Sequence, residues 1–87
     1  MIVDYTKTFT KQFKKQPRKI QNSFKSRLKL FTEDPSNAIL NHHALKGSMQ
    51  GFFSINITGD VRALYYKKDD GTIVIFAFIG SHSQLYR

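Results

Sequence analysis

Three strand-like runs fill the C-terminal half of the chain: Phe52–Thr58, Val61–Lys68 and Ile73–Ile79. Only Thr58-Gly59-Asp60 and Asp69-Asp70-Gly71 separate them, and both are hairpin signals. The spacing predicts an antiparallel β-meander. Upstream, Met1–Tyr5 alternates apolar and polar residues and predicts a short strand. Thr6–Gln16 predicts a first helix, with Phe9 and Phe13 at i, i+4 on one face and Lys7, Lys11, Lys14 and Lys15 on the others. Pro17 suits the first turn of a second helix. Ile20, Phe24, Leu28 and Phe31 then form a narrow apolar stripe, and Glu33-Asp34-Pro35 ends it. The two helices are expected to form a hairpin lying on the sheet, and Ser36–Gly51 is read as irregular. The order is β-α-α-β-β-β, an α+β layer pair. Repeats, low-complexity tracts and linkers are absent from the sequence, so one domain over residues 1–87 is expected.

An 87-residue domain holds one small core and leaves an active site only a shallow surface groove. Fourteen Lys and Arg against six Asp and Glu give a formal charge of +8. Such an excess points to a polyanionic partner. No apolar run approaches the ~18 residues of a membrane helix. An acid stands in Met1-Ile-Val-Asp-Tyr5 where a signal peptide needs a basic region. A cytoplasmic protein without membrane contact is expected. The absence of Cys excludes disulfides, thiolate catalysis and thiolate zinc sites.

The residues with chemistry to offer cluster in few places. Gly80 ends the last strand-like run, and Ser81-His82-Ser83-Gln84-Leu85-Tyr86 follows at once. His82 thus stands on a rigid support, with small neighbours and an ordinary pKa of about 6.5 that suits proton transfer. Arg62 shares one face of its run with Leu64 and Tyr66, while Val61, Ala63 and Tyr65 take the other. An arginine so placed either pairs with an acid or clamps a phosphate, and the phosphate reading is favoured. Asp60 reads first as a turn residue and second as a carboxylate of the site. Lys46 can be a solvated lysine or can lend charge to a groove. His42 and His43 are adjacent, so at most one should face the site of His82. Two adjacent histidines do not ligate one ion easily and no carboxylate motif accompanies them, so no metal and no cofactor are expected. Tyr86 is too near the C-terminal end for a core role and suits base stacking. The helical lysines form a separate surface, either solvated or bound to a nucleic-acid backbone.

Together the element order, Leu45-Lys46-Gly47 with Gly51, Thr58-Gly-Asp-Val-Arg-Ala-Leu-Tyr-Tyr66 and the Gly80-Ser-His-Ser-Gln-Leu-Tyr86 ending resemble the RelE/ParE toxin superfamily. The ending is most like its YafQ-like branch, and the likeness runs over essentially the whole chain. It implies a RelE-like fold and the toxin of a type II toxin–antitoxin module, an mRNA interferase acting in the ribosomal A site. By position, His82 matches the main catalytic histidine, His43 another histidine, Asp60 an aspartate and Tyr86 a C-terminal aromatic. Arg62 and Lys46 match basic positions of the RelE branch. The chain departs from the pattern at Asn56, Val61 and Phe78, which stand in place of histidine, tryptophan and arginine.

The resemblance implies metal-independent attack of a 2′-OH on its own phosphate, giving a 2′,3′-cyclic phosphate and a 5′-OH. His82 would protonate the leaving oxygen and His43 or Asp60 would act as base. Arg62 and Lys46 would hold the phosphate, and Tyr86 would stack on or orient a base. A ParE-type DNA gyrase poison and a non-catalytic basic RNA-binding module are the alternatives; the gyrase poison has no evident use for His82 beside Tyr86, and the binding module would give salt-dependent affinity without a product. The implied partners are an acidic cognate antitoxin, mRNA on the ribosome, and operator DNA reached through the antitoxin complex. The free toxin is expected to be a monomer.

Overall fold

The computed structural model describes residues 1–86. Its centre is a five-stranded sheet of β1 (Ile2–Tyr5), β2 (His43–Ala44), β3 (Phe53–Asn56), β4 (Val61–Lys68) and β5 (Ile73–Ser81), in the order β1-β5-β4-β3-β2. Strands β3, β4 and β5 are the antiparallel meander that the hairpin signals predict. At the tighter turn Asp69, Asp70 and Gly71 all take positive φ, the left-handed backbone that Asp tolerates and Gly favours. Two details differ from the sequence reading. Strand β1 joins β5 in parallel, from Ile2 opposite Ile73 to Tyr5 opposite Phe76. The segment read as irregular contains β2, whose His43 and Ala44 pair with Ser54 and Phe53. Two residues are too few to show alternation, so only the partner strand creates β2.

Helices α1 (Lys7–Lys15) and α2 (Arg18–Glu33) lie on one face and carry the chain from the β1 edge toward the β2 edge. Thr6 caps α1 by accepting from the Phe9 N–H. The expected stripe of α2 packs inward, with Phe24 and Phe31 buried and Ile20 and Leu28 partly so. Phe76 of β5 is the hub of the core. It has no exposed surface and its ring lies 5.4–6.2 Å from those of Tyr5, Phe9, Phe24, Phe31 and Tyr65. Val61, Ala63 and Tyr65 meet this core with Ile55 and Ile79, as the period of two requires.

The opposite face of the sheet carries His43, Ser54, Asn56, Arg62, Leu64 and Phe78, placed there by register. At one end it holds an aromatic cluster, Phe52 against Tyr66 and Phe78 at 5.7 and 5.8 Å. At the other end the chain leaves β5 and turns into a short helix, α3 (His82–Leu85). No helix among the described residues is long and apolar enough to cross a membrane.

Candidate active site

The face of the sheet opposite α1 and α2 ends in an open groove of about 360 Å³, lined by Asn41, His43, Leu45, Ser54, Arg62, His82 and Tyr86. Four of the six sequence-derived site residues meet here: His43, Arg62, His82 and Tyr86. Lys46 lines an adjoining groove of about 240 Å³ that shares Leu45 and Tyr86 with the first. Asp60 is exposed in the turn before β4, and its side chain is not among the lining groups of either groove. Its backbone takes part, since the Asp60 carbonyl accepts the His82 N–H at 3.1 Å.

His82 is held by the start of α3. Ser81 Oγ accepts from the Gln84 N–H at 3.2 Å, and Gln84 Oε1 accepts from the Ser81 N–H at 2.8 Å. This is a capping box, and Ser81-His82-Ser83-Gln84 spells its signature, so the sequence did carry the signal. The small neighbours of His82 in the sequence predict a ring left uncovered on its rigid support. Instead the helical turn brings Tyr86 back over His82, with ring centroids 4.6 Å apart at 48°. The tyrosine ring covers one side of the imidazole. The rest of His82 is exposed.

His43 is exposed and its Nδ1 lies 2.6 Å from the Asn41 carbonyl oxygen. A carbonyl can only accept, so Nδ1 carries the proton. In the neutral ring Nε2 therefore holds a lone pair. Asn41 takes a left-handed φ of 44°, which Asn tolerates well, and this presents its carbonyl to the ring. Asn41 was absent from the sequence reading, where only its place beside two histidines hinted at a role. His42 points the other way, into the core between Phe31, Phe53 and Tyr65, where Nε2 meets the Tyr65 hydroxyl. The expectation that only one of the pair faces His82 holds.

Arg62 Nη1 donates to the carbonyl oxygens of Thr58 at 3.1 Å, Gly59 at 3.2 Å and Val61 at 3.3 Å. These bonds go to neutral carbonyls, and among the described residues none goes to a carboxylate. Ser54 lines the groove yet no motif marked it; alternation in Phe53-Ser54-Ile55-Asn56 is the only trace, and it places Ser54 and Asn56 outward. Chemically the groove offers a lone-pair imidazole nitrogen, a second imidazole under an aromatic ring, and a guanidinium. That set can move two protons beside an anion.

Several solved structures with this architecture are bacterial toxins. The crystal structure of YafQ from E. coli strain BL21(DE3) superposes with a TM-score of 0.82, covering 98% of this chain and 97% of that one at 21% identity. YafQ in the E. coli DinJ–YafQ toxin–antitoxin complex gives 0.80 over 98% and 96% at 22% identity. A copper-bound mutant toxin from Helicobacter pylori gives 0.73 over 99% of both chains at 30% identity. A search of curated proteins found no match. The fold is that of the RelE superfamily of toxins. The model of the family described as "Bacterial toxin of type II toxin-antitoxin system, YafQ" matches residues 1–87, and the chain belongs to that family.

Proposed function

We propose that this toxin is a ribosome-dependent endoribonuclease, a single catalytic domain that cuts mRNA in the A site without a metal. The observation that carries the reading is the meeting of His43, His82 and Arg62 on one groove. His43 Nε2 takes the proton of the attacking 2′-OH, because its Nδ1 is occupied by Asn41. Arg62 faces the charge that builds on the phosphate. His82, held beside Tyr86, gives a proton to the departing 5′-oxygen. A 2′,3′-cyclic phosphate and a 5′-OH result. The Asp60 carboxylate is the weaker candidate for the base, since its side chain stands outside the groove. Lys46 extends the positive surface along the strand, and the outer face of Tyr86 offers a base a stacking partner.

The partner proposed is an acidic cognate antitoxin that covers this basic groove, with operator DNA bound through the resulting complex. Toxin and ribosome would meet in the cytoplasm, the free toxin as a monomer.

The test is to add the purified toxin to translating ribosomes and map 5′ ends on the mRNA, with His82→Ala and His43→Ala beside it. Cuts within A-site codons are expected, reduced about 10²–10⁴-fold in each variant. Intact mRNA with the wild-type toxin, or full cleavage by His82→Ala, would overturn the reading.

A further inference from the structure

Two buried polar atoms on the sheet face beside the groove, Ser54 Oγ and Asn56 Oδ1, have no hydrogen-bond partner among the described residues. Buried polar groups are nearly always paired, so two neighbouring orphans call for a cause. Ser54 is 1% exposed and lines the groove. Asn56 lies directly opposite Arg62 in the β3–β4 register, and Ser54 is one rung away, opposite Leu64. Directly opposed side chains start about 5 Å apart, and their diagonal neighbours remain within reach of a long side chain. On its other flank Arg62 faces Gly80, which has no side chain to offer. The orphan amide oxygen thus belongs to the residue paired with an arginine, whose guanidinium carries five donors and no acceptor. That guanidinium is turned away, one nitrogen sharing three carbonyls of the preceding turn.

We propose that Ser54 and Asn56 form a seat for Arg62 in the RNA-bound state. The guanidinium leaves the turn carbonyls and swings across the strand. It donates to Asn56 Oδ1 and Ser54 Oγ, and turns its remaining N–H groups to a phosphate in the groove. Asn56 is then a positioning residue that acts through Arg62, and Ser54 supports it. The unpaired acceptors are the cost that the free state carries for a seat ready to be filled. This inference rests on reading the groove as an RNA site.

The experiment measures affinity of the intact toxin for a single-stranded RNA made uncleavable by 2′-O-methylation, over a range of salt, with thermal melting beside it. Asn56→Leu should weaken binding roughly tenfold, the effect of one charge-assisted hydrogen bond to phosphate. It should also flatten the slope of log K against log salt by about 0.7, one single-strand phosphate contact. Arg62→Met should do the same, and the double variant should lose no more than either. Melting of Asn56→Leu and Ser54→Ala should be unchanged or higher, since each removes an unpaired buried acceptor. A wild-type slope in Asn56→Leu, additive losses with Arg62→Met, or a lower melting temperature with unchanged binding would overturn the proposal. Should Asn56→Leu fail to fold, Ser54→Ala with and without Arg62→Met decides by the same slopes. If wild type binds the RNA but cuts no mRNA, the nuclease reading falls and the seat is judged on those slopes alone. If it binds no RNA, both fall.

Discussion

The imidazole of His42 lies among Phe31, Phe53 and Tyr65, and burial, helped by the charges of Lys67 and His43, holds its pKa below 6.5. Its partner, the Tyr65 hydroxyl, is pushed up to about 12 by the same burial. An imidazole that resists protonation when folded lets the unfolded chain bind the proton first. The stability His42 contributes is therefore complete above about pH 6.5 and is lost as pH falls through the lower folded-state value. His42→Leu should cost about 1–3 kcal/mol at pH 7.5 by leaving the Tyr65 hydroxyl unpaired. The gap to wild type should narrow toward pH 5.5, because the variant has no such proton to refuse. Melting curves at the two pH values check this, and parallel losses would show that His42 does not titrate with folding. One residue away, His43 is exposed and bonded through Nδ1 to Asn41. Adjacent residues in extended chain point apart, which was legible; which ring would turn inward was not, because the choice was made by the packing of Phe31 from α2.

Helix α3 has four residues, far too few to persist alone. It depends on its capping box and on close approach to β5. A Cβ built on Gly80 would stand 2.9 Å from Gln84 Oε1, so a larger residue there would push that oxygen aside. The same Gln84 oxygen closes the capping box, and the box aims His82. Ser81→Ala should remove about 1 kcal/mol of local stability. Global melting should hardly move, since the core does not include α3. Cleavage should fall about 10²-fold, as displacement of a catalytic group by an ångström does. Parallel measurement of melting and of mRNA cutting checks this, and unchanged cleavage would separate His82 from the cap. Strand β2 is the opposite case: its two residues hold no local signal, and only β3 makes them a strand.

Across the whole molecule the charge is unevenly spread. Nine of the fourteen basic residues, Lys7, Lys11, Lys14, Lys15, Arg18, Lys19, Lys25, Arg27 and Lys29, lie in the helical hairpin, with Glu33 its one acid. The hairpin covers one face of the sheet, and the groove opens from the other. Cation density and the groove residues therefore occupy different sides, and a large polyanion could engage both. Affinity for RNA should fall with salt at about 0.7 in log–log slope per phosphate neutralised. Replacing Lys7, Lys11 and Lys14 with Gln should flatten the slope by about 2, by the same rule, while cutting of saturating mRNA persists. A salt titration with the triple variant checks this, and an unchanged slope would make the hairpin a solvated face only.

Local patterns carried the meander, both main helices, the inward face of β4 and the charge, because periods of 2 and 3.6, turn residues and net charge need no distant partner. The C-terminal segment announced its histidine and, in Ser81 and Gln84, its cap. Tertiary structure alone decided that Asn41 fixes the His43 tautomer and that the Asp60 side chain stays outside while its carbonyl anchors His82. It also decided that Tyr86 packs on His82 and that Ser54 and Asn56 stand unpaired beside Arg62. Each of these depends on a partner brought near by sheet register or by a turn, and register is a property of paired strands that one strand does not contain.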